Sequence, residues 1–363
     1  MRLQLIIAAV VVLAAGEARA QADAEPAAVA GVRVYADDDH VTVWSPSARA
    51  VAALPRGVAV DVHAVVDAVT AASIDVTSSA SPYAFHERRV EGGAGVAVPV
   101  AAQQQVGVTA IVSDEHDYTS LRLGGRWRGE LARRNATLEV SYTAGFDQVG
   151  RAGDPTFARD RREHRGAVSF TQIVDRRGYL DVVVEAIRTT GYQANPYRFV
   201  PITMAGAVAY ALPEAVPDAR AAVAALVRVR RALAPAWFAH VDYRLARDTW
   251  GITSHTGSAR VVRVLDDDAV LLGAELRGYL QDGASFHRAS YAGELGAPVW
   301  RTRDHVLGAM HTLTLGATAQ VRLPWRAAQA TVAAAWLRFG WSDDLRQRGR
   351  DALVSSLTVL VPL

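Results

Sequence analysis

The sequence predicts an all-β protein, an antiparallel outer-membrane barrel that crosses the bilayer with about 14 strands, 12 or 16 being the alternatives. Three observations support this: alternating apolar and polar residues, short turns that alternate with longer connections, and an N-terminal export signal. The alternation is clearest in residues 118–131 and 137–147, which are separated only by Arg133-Arg134-Asn135-Ala136. A period of two indicates strands, and a short connection indicates a hairpin.

The first twenty residues are expected to form a cleaved signal peptide. Arg2 supplies a positive charge, residues 3–15 form a short apolar run, and Ala18-Arg19-Ala20 is a small-x-small cleavage site. The run is well short of the roughly 20 apolar residues that a membrane helix needs. Every later apolar run is interrupted by a charge. These features leave a soluble exported protein or a β-barrel, and the alternation favours the barrel.

The composition excludes several kinds of chemistry. The chain has no cysteine, so it forms no disulfide and has no thiolate nucleophile. Its 39 basic residues are all arginine, which excludes lysine Schiff bases, and the 37 acidic residues leave a formal net charge of only +2. This balance does not favour nucleic-acid binding. No motif indicates a cofactor, and none is expected.

The domain organisation follows from where the alternation begins. Residues 57–363 are predicted to form the barrel. Residues 21–56 are less clear, because Val32–Tyr35 and Val41–Trp44 flank Asp37-Asp38-Asp39 and suggest a small hairpin. This segment is open to three interpretations: a periplasmic segment, a plug in the lumen, or two further strands. Outside residues 118–147, the alternation of apolar and polar residues recurs at residues 58–67, 179–186, 220–230, 239–245 and 272–281.

Turn lengths orient the predicted barrel. Outer-membrane barrels have short periplasmic turns and longer external loops. We therefore place Arg133–Ala136 in the periplasm and Asp114–Asp117 at the external rim. The other short turns are predicted at Asp175–Gly178, Ala232–Pro235, Asp266–Asp268 and Pro324–Ala327. The longer segments are Val69–Phe85, Gln148–Arg165, Thr189–Asp218, Gln281–His305 and Ser342–Arg350.

An ordered set of short motifs resembles a family of bacterial outer-membrane proteins catalogued as domain of unknown function 3570. The set spans about 220 residues, from 67 to 287, in the order in which that family has them. The resemblance implies a barrel and supplies no established activity. The matching segments are Asp67–Ser73, Asp117–Ser120, Gly191–Arg198, Tyr243-Arg244, Asp248–Ile252, Ser254–Thr256, Arg277–Gln281 and the region of Phe286.

Charged residues on the inward phase of the predicted strands are the main functional candidates. One interpretation is a water-filled pore whose arginines attract anions. The other is a structural network of opposite charges that closes the interior. The lumen-lining candidates are Arg122, Arg126, Arg128, Glu130, Glu139, Asp181, Glu185, Arg228, Arg230, Asp242, Arg244, Glu275 and Arg277.

A second group of candidates lies at the external rim. Tyr192, Tyr197 and Trp250 are expected to belong to an aromatic girdle at the membrane interface. No metal site is predicted. Asp114, Glu115 and His116 are only weak candidates, because their spacing fits no defined metal loop. The full set of rim candidates is Asp117, Tyr118, Tyr192, Tyr197, Asp248, Trp250 and His255.

The sequence thus predicts a monomeric, porin-like channel or transporter for a small polar solute, with outer-membrane lipid and the barrel-assembly machinery as partners. The alternative is a non-conducting envelope scaffold or ligand-binding barrel. A third interpretation is an outer-membrane hydrolase, for which Ser254, Ser258 and His255 are available. Nothing resembles Gly-x-Ser-x-Gly, so no catalytic residue is assigned and an enzyme is not expected.

Overall fold

The computed structural model describes residues 26–71, 85–293, 299–342 and 349–363. Sixteen antiparallel strands in these ranges close into one barrel, and no helix there is long and apolar enough to cross a membrane. The predicted signal peptide at residues 1–20 lies outside the described residues. The barrel strands are β1 (Ala27–Asp37), β2 (Val41–Leu54), β3 (Val58–Ala71), β4 (Phe85–Ala101), β5 (Gln104–Glu115), β6 (Tyr118–Leu131), β7 (Ala136–Val149), β8 (Arg159–Asp175), β9 (Gly178–Gly191), β12 (Ala219–Ala234), β13 (Trp237–Asp248), β14 (Thr253–Leu265), β15 (Val270–Gln281), β17 (Met310–Arg322), β18 (Gln329–Trp341) and β19 (Gly349–Pro362).

The strand number is the higher of the predicted alternatives because residues 27–54 supply two strands. The count of 14 began at residue 57 and so omitted β1 and β2, whereas the alternative of 16 is the number observed. In β1, alanine and valine occupy both faces, and in β2 the Ser45-Pro46-Ser47 segment interrupts the alternation. Both features obscure the alternation of apolar and polar residues by which a strand is recognised in the sequence. Of the three interpretations of this segment, the structure shows the two further strands.

The barrel closes where the first strand pairs with the last. β1 pairs antiparallel with β19 from Ala27 opposite Pro362 to Asp37 opposite Ala352. The other edge of β1 pairs with β2. The hairpin that the sequence shows best, β6–β7, runs in unbroken register from Tyr118 opposite Val149 to Leu131 opposite Ala136. Closure leaves no unpaired sheet edge to face lipid, as a membrane requires.

The two ends of the barrel differ as the turn lengths predict. One end carries residues 27 and 362 together with short connections such as 102–103, 132–135 and 176–177. Arg133, with φ of 57°, is one of several non-glycine residues that make these tight turns at positive φ. The opposite end carries the longer connections 150–158, 192–218 and 282–309. By comparison with outer-membrane barrels, this second end is the external one.

Two external connections fold together into a small structure that we call the external cap (residues 192–218, 282–293 and 299–309). Its strands β10 (Phe199–Met204), β11 (Ala207–Pro213) and β16 (Tyr291–Ala292) form a three-stranded sheet. Val200, Ile202 and Tyr291 form its apolar core. The cap therefore has its own packing and is more than a pair of independent loops.

The outer surface of the barrel has an apolar band of the height expected for a membrane. On β13 the outward-facing residues from Ala239 to Leu245 lie between Trp237 and Arg247. The ten residue steps from Trp237 to Arg247 rise about 3.4 Å each along the strand. With the strand tilted by roughly 40° from the membrane normal, they span a height of about 25 Å, which is that of the apolar band in outer-membrane barrels. The chain therefore has the fold of an outer-membrane β-barrel.

Candidate functional site

All thirteen charged residues proposed to line the lumen lie on the inward phase of their strands. On β6, Arg122 and Arg126 are half-buried, whereas Leu121 and Leu123 between and beside them are exposed on the outer face. The same alternation places the other members inside, because successive side chains of a strand point to opposite faces. Their participation in transport stays a prediction.

A chain of ion pairs crosses the lumen wall from β8 to β13. Glu185 on β9 accepts from Arg165 Nη1 at 3.1 Å with Oε2 and from Arg244 Nη2 at 3.4 Å with Oε1. Arg165 also lies 3.4 Å from Glu163 on its own strand. One carboxylate thus links three strands through charges that face the lumen.

Asp181 is the most fully satisfied acid of this wall. Its Oδ1 accepts from Ser169 Oγ at 2.8 Å and from Thr171 Oγ1 at 2.9 Å. Its Oδ2 accepts from Arg228 Nη1 at 3.0 Å. The adjacent pair, Arg230 and Asp242, is bidentate: Arg230 Nη1 donates to Oδ1, and Arg230 Nη2 donates to Oδ2 at 3.2 Å. Such geometry fixes both side chains along the wall.

The arginines of β6 have a different environment. Arg122 stands opposite Gly145 on β7 and Ile111 on β5. Arg126 stands opposite Ser141 and Gly107 in the same way. The residues directly opposite these two arginines are therefore neutral, and we call Arg122 and Arg126 the β6 stripe.

The remaining lumen candidates stand beside charges of opposite sign. Glu139 is opposite Arg128 in register. Near the periplasmic end, Arg134 Nε lies 3.1 Å from Glu130 Oε2. Across the barrel, Glu275 on β15 is opposite Arg260 on β14 and two residues from Arg277. These positions resemble the paired wall of β8–β13 more than the β6 stripe.

The rim candidates Asp117 and Tyr197 are brought together although 80 residues separate them. Tyr197 Oη donates to Asp117 Oδ2 at 2.5 Å and accepts from the backbone N–H of Ala152. Burial, together with this hydrogen bond to a carboxylate, raises the pKa of Tyr197 above its ordinary value. Tyr118 lies below them and accepts from Arg161 Nη1 at 3.1 Å. The external cap is thus tied to the β5–β6 turn.

The girdle predicted from Tyr192, Tyr197 and Trp250 is wrong for Trp250, which is only 4% exposed. Its ring packs with Ala194, Val216 and Ile252, and its Nε1 donates to the Ala219 carbonyl at 3.0 Å. Tyr192 is half-buried and packs edge-on against Phe157, so it too contacts loops. The sequence pattern shows an aromatic residue at a strand end but not which loop folds over it.

Asp248 organises the turn that carries Trp250. Its Oδ1 accepts from the backbone N–H groups of Trp250 and Ile252, each at 2.9 Å. Its Oδ2 accepts from Arg220 Nε at 2.7 Å, and the Arg220 guanidinium lies 4.6 Å from the Trp250 ring centroid. This rim candidate therefore has a structural environment typical of a capped turn.

A buried charge cluster holds the external cap together. Arg198 Nη1 donates to Glu214 Oε1 at 3.1 Å and also to Asp304 Oδ2. Thr302 Oγ1 donates to Glu214 Oε1 at 2.5 Å. Burial of the Asp304 carboxyl acts to raise its pKa, but Arg198 and His305 hold that pKa below the ordinary value. Sequence reasoning missed Glu214 and Asp304, because no local pattern links residues about 100 positions apart.

Glu115 is part of an acidic group that differs from the predicted one. Asp114 is exposed on the outward phase of β5 and His116 is exposed in the turn, so neither shares a site with Glu115. Glu115 instead meets Glu87 and Asp117, with candidate ligand oxygens within 4.8 Å of one another. Arg89 Nε lies 3.7 Å from Glu115 Oε1 and offsets part of the negative charge. Nothing further in the described structure identifies this group as a metal site.

The strand phase separates the residues considered for hydrolysis. Ser254 and Ser258 face the lumen, whereas His255 between them faces outward. His255 Nδ1 lies 2.7 Å from Tyr243 Oη, which is also on the outer wall. The two serines and this histidine therefore do not form a nucleophile–base pair.

Comparison with known proteins identifies a family and a fold. The model of a family described as "Protein of unknown function (DUF3570)" matches residues 74–161 and 151–335. No curated protein matches the chain. Among solved structures, CdiB from Acinetobacter baumannii aligns at 7% identity over 92% of this chain and 60% of its own, with a TM-score of 0.54. This likeness shows the barrel fold alone.

Two further solved structures align over most of this chain. The siderophore receptor PirA from Pseudomonas aeruginosa aligns at 12% identity over 93% of this chain and 66% of its own, with a TM-score of 0.49. OccK2 from Pseudomonas aeruginosa, solved in complex with glucuronate, aligns at 8% identity over 94% of this chain and 98% of its own, with a TM-score of 0.46. The chain thus spans less than two thirds of the length of PirA and CdiB.

Proposed function

Because the chain belongs to the DUF3570 family, which assigns no activity, we propose from the geometry that it is a porin-like channel of the outer membrane. In this proposal a small polar solute crosses through the charged lumen, and one chain forms the pore. The support comes from the width of the barrel, from the exposure of its internal charges and from their arrangement.

The strand number favours an aqueous interior. A barrel of about 8 strands is filled by its own side chains, whereas barrels of 16 to 18 strands leave a water-filled channel. This barrel has 16 strands among its described residues, and charged side chains occupy much of its inner wall. A wall of this kind is compatible with water and unsuited to a dry core.

The observation that carries the proposal is that the ion pairs of the β8–β13 wall remain accessible. The side chains of Arg165, Arg228 and Arg244 are 46%, 41% and 37% exposed although each contacts a carboxylate. Charges that serve only to close a barrel interior would be expected to bury one another. Here the pairs lie along the wall and leave space in front of them.

The β6 stripe supports a preference for anionic solutes. Arg122 and Arg126 are two positive side chains on the inward phase of one strand, and the residues directly opposite them are neutral. In a narrow lumen with a low-dielectric wall, positive side chains raise the local concentration of anions. We therefore expect a weak anion preference to which these two residues contribute.

One observation favours a second function, that of a ligand-binding barrel. The external cap has a buried ionic core at Arg198 and reaches the β5–β6 turn through Tyr197. Such a cap at the external end would restrict the passage of solutes. A loop structure with its own core is also suited to holding a ligand. The two functions differ in whether current flows through the protein.

Planar-bilayer recording of the full mature chain tests the proposal. The expected result is discrete openings at moderate voltage, carried more by anions than by cations. A protein that inserts, shown by heat-modifiable migration of the same preparation, but gives no openings between −150 and +150 mV is incompatible with a channel. That outcome would favour the ligand-binding barrel. At either voltage, moving a unit charge across the membrane changes its electrostatic energy by a few kcal/mol.

A further inference from the structure

The outer wall of the barrel contains a groove that the lumen function does not use. It lies on the membrane-facing side of β13, β14, β15 and β17 and has a volume of about 440 Å³. Tyr243 and Leu313 flank it, and Leu280 and two imidazoles lie at its external end. The side chains that form it are exposed, so in the membrane they contact lipid.

Two glycines form the floor of this groove. Gly257 pairs with Gly278 across β14–β15, and their outer neighbours in register are Tyr243 and Leu313. A Cβ placed on Gly257 or on Gly278 would find no atom within 4 Å. Tyr243 and Leu313 stand three strand spacings apart, about 14 Å, so the notch between them has room for hydrocarbon chains.

The external end of the groove is polar. His255 and His311 stand in one row with Leu280 between them, one outward-facing position above the glycines. The His311 ring leans away from the groove and lies over Gly340 on β18, so His255 is the imidazole that faces the groove. Tyr243 Oη lies 2.7 Å from His255 Nδ1, which leaves Nε2 of that ring as the atom able to donate or accept elsewhere. Arg247 is exposed on β13, one outward-facing position above Leu245, which is opposite His255.

The depth of these residues matches the interface of the external leaflet. Arg247 marks the external edge of the apolar band on β13, and the imidazoles lie one position below its level. Phosphate groups of membrane lipids occupy this depth, with the acyl chains beneath them. Imidazole N–H groups and a guanidinium are donors to phosphate, and a guanidinium also supplies the complementary charge.

We propose that this groove binds a phosphate-bearing lipid of the external leaflet. An acyl chain lies over Gly257 and Gly278 between Tyr243 and Leu313. The phosphate contacts His255 and Arg247. This site is separate from the lumen, so the proposal would stand even if the protein conducted no ions.

Native mass spectrometry of the detergent-solubilised full mature chain tests the proposal with two probes of equal chain length. The probes are dioleoyl phosphatidic acid and dioleoylglycerol, which differ only in the phosphate. We expect phosphatidic acid to remain bound and dioleoylglycerol to be lost at the same collision energy. Equal retention of both would overturn the assignment of a phosphate site.

Two variants locate the site, each with a matched control. The variant His255→Leu should retain about tenfold less phosphatidic acid, which corresponds to about 1.4 kcal/mol. His164→Leu is its control, because His164 contacts Tyr142 on the opposite side of the outer wall in the same way, at 2.6 Å. Gly278→Leu should fill the notch and lower retention similarly, and Gly125→Leu is its control, since a Cβ there also meets no atom within 4 Å.

Folding of each variant is verified by heat-modifiable migration. A folded His255→Leu variant that binds as much phosphatidic acid as its control would overturn the phosphate assignment. A folded Gly278→Leu variant with unchanged retention would overturn the groove itself.

Discussion

Arg350 Nη2 donates to Asp39 Oδ2 at 2.8 Å, a contact between residues 311 positions apart that joins the β1–β2 turn to the last strand. Arg350 Nη1 lies 3.3 Å from Asp37 Oδ2, so one guanidinium binds two of the three acids at this turn. The side chains of all three residues are at least 94% buried. The contact therefore fastens the external end of the seam at which the barrel closes.

Replacing Arg350 should destabilise the barrel strongly. Arg350→Gln leaves two buried carboxylates without their cation, and loss of one partner of a buried pair costs about 3–5 kcal/mol. The measurement is the urea midpoint of detergent-solubilised protein. Arg338→Gln is the control, because the Arg338–Asp351 pair is 48% and 40% exposed and should contribute only about 0–1 kcal/mol. Equal midpoints for the two variants would contradict a stabilising role for the Arg350 pair.

The β6 stripe should set the charge preference of the pore. Arg122→Ser with Arg126→Ser removes two positive charges from one lumen-facing strand, so the anion-to-cation permeability ratio should fall by roughly twofold. The reversal potential across a salt gradient measures this ratio. Arg188→Ser is a suitable control, since Arg188 is exposed on the outward face of β9. A reversal potential that does not move would remove β6 from the selectivity determinants.

The Asp181–Arg228 pair should shift selectivity in opposite directions when either partner is neutralised. Asp181→Asn keeps the shape of the side chain and leaves Arg228 uncompensated, so the current should become more anionic. Arg228→Gln leaves Asp181 uncompensated, so the current should become more cationic. Opposite shifts in reversal potential would show that the pair borders the conduction path. If current flows but neither variant changes it, the pair belongs to a purely structural network.

The strand pattern predicted the wall much better than the loops. Tyr118–Leu131 and its partner strand could be read directly, because each lumen residue alternates with a lipid-facing one and the register follows from a short turn. β1 could not be predicted in this way, because alanine and valine on both faces remove the contrast between an apolar and a polar face. The family match of residues 74–161 and 151–335 agrees with the resemblance drawn from the motifs.

The external cap escaped prediction for a different reason. The environment of Trp250 depends on Ala194 and Ala284, which come from two other connections. Glu214 and Asp304 become a pair around Arg198 only after both connections have folded. Neither set of contacts follows a repeating spacing in the sequence. A prediction based on alternating residues therefore detects the strands and misses the cap.

Gly191 in the family motif should not tolerate a side chain. Its φ is +93°, and a Cβ there would lie 2.3 Å from the Asp160 carbonyl oxygen. Gly191→Ala should therefore lower the free energy of unfolding by about 1–3 kcal/mol through backbone strain and displacement of β8. The urea midpoint again measures the change. Gly125→Ala should leave the midpoint almost unchanged, because a Cβ there meets no atom within 4 Å, and a similar loss in both variants would refute the steric explanation.

The external cap should open in acid through Asp304. Its pKa is held below the ordinary value of about 3.9, so ionised Asp304 stabilises the folded cap. A depressed carboxyl pKa gives stability that is complete above the unfolded pKa and is lost as the pH falls through the folded pKa. Protection from hydrogen exchange in residues 199–213, relative to the intrinsic rate at each pH, should therefore be high at pH 5–7 and fall below about pH 4.

Two variants separate this mechanism from general acid unfolding. Asp304→Asn should exchange faster in residues 199–213 at pH 7, because Arg198 loses its contact with an ionised Asp304, and it should lose most of the acid-dependent step. Asp175→Asn changes a carboxyl in a turn at the periplasmic end of the barrel, where Asp175 pairs with Arg231, and should leave exchange in the cap as in the unaltered protein. An acid step of unchanged size in Asp304→Asn would assign the titration to a different group.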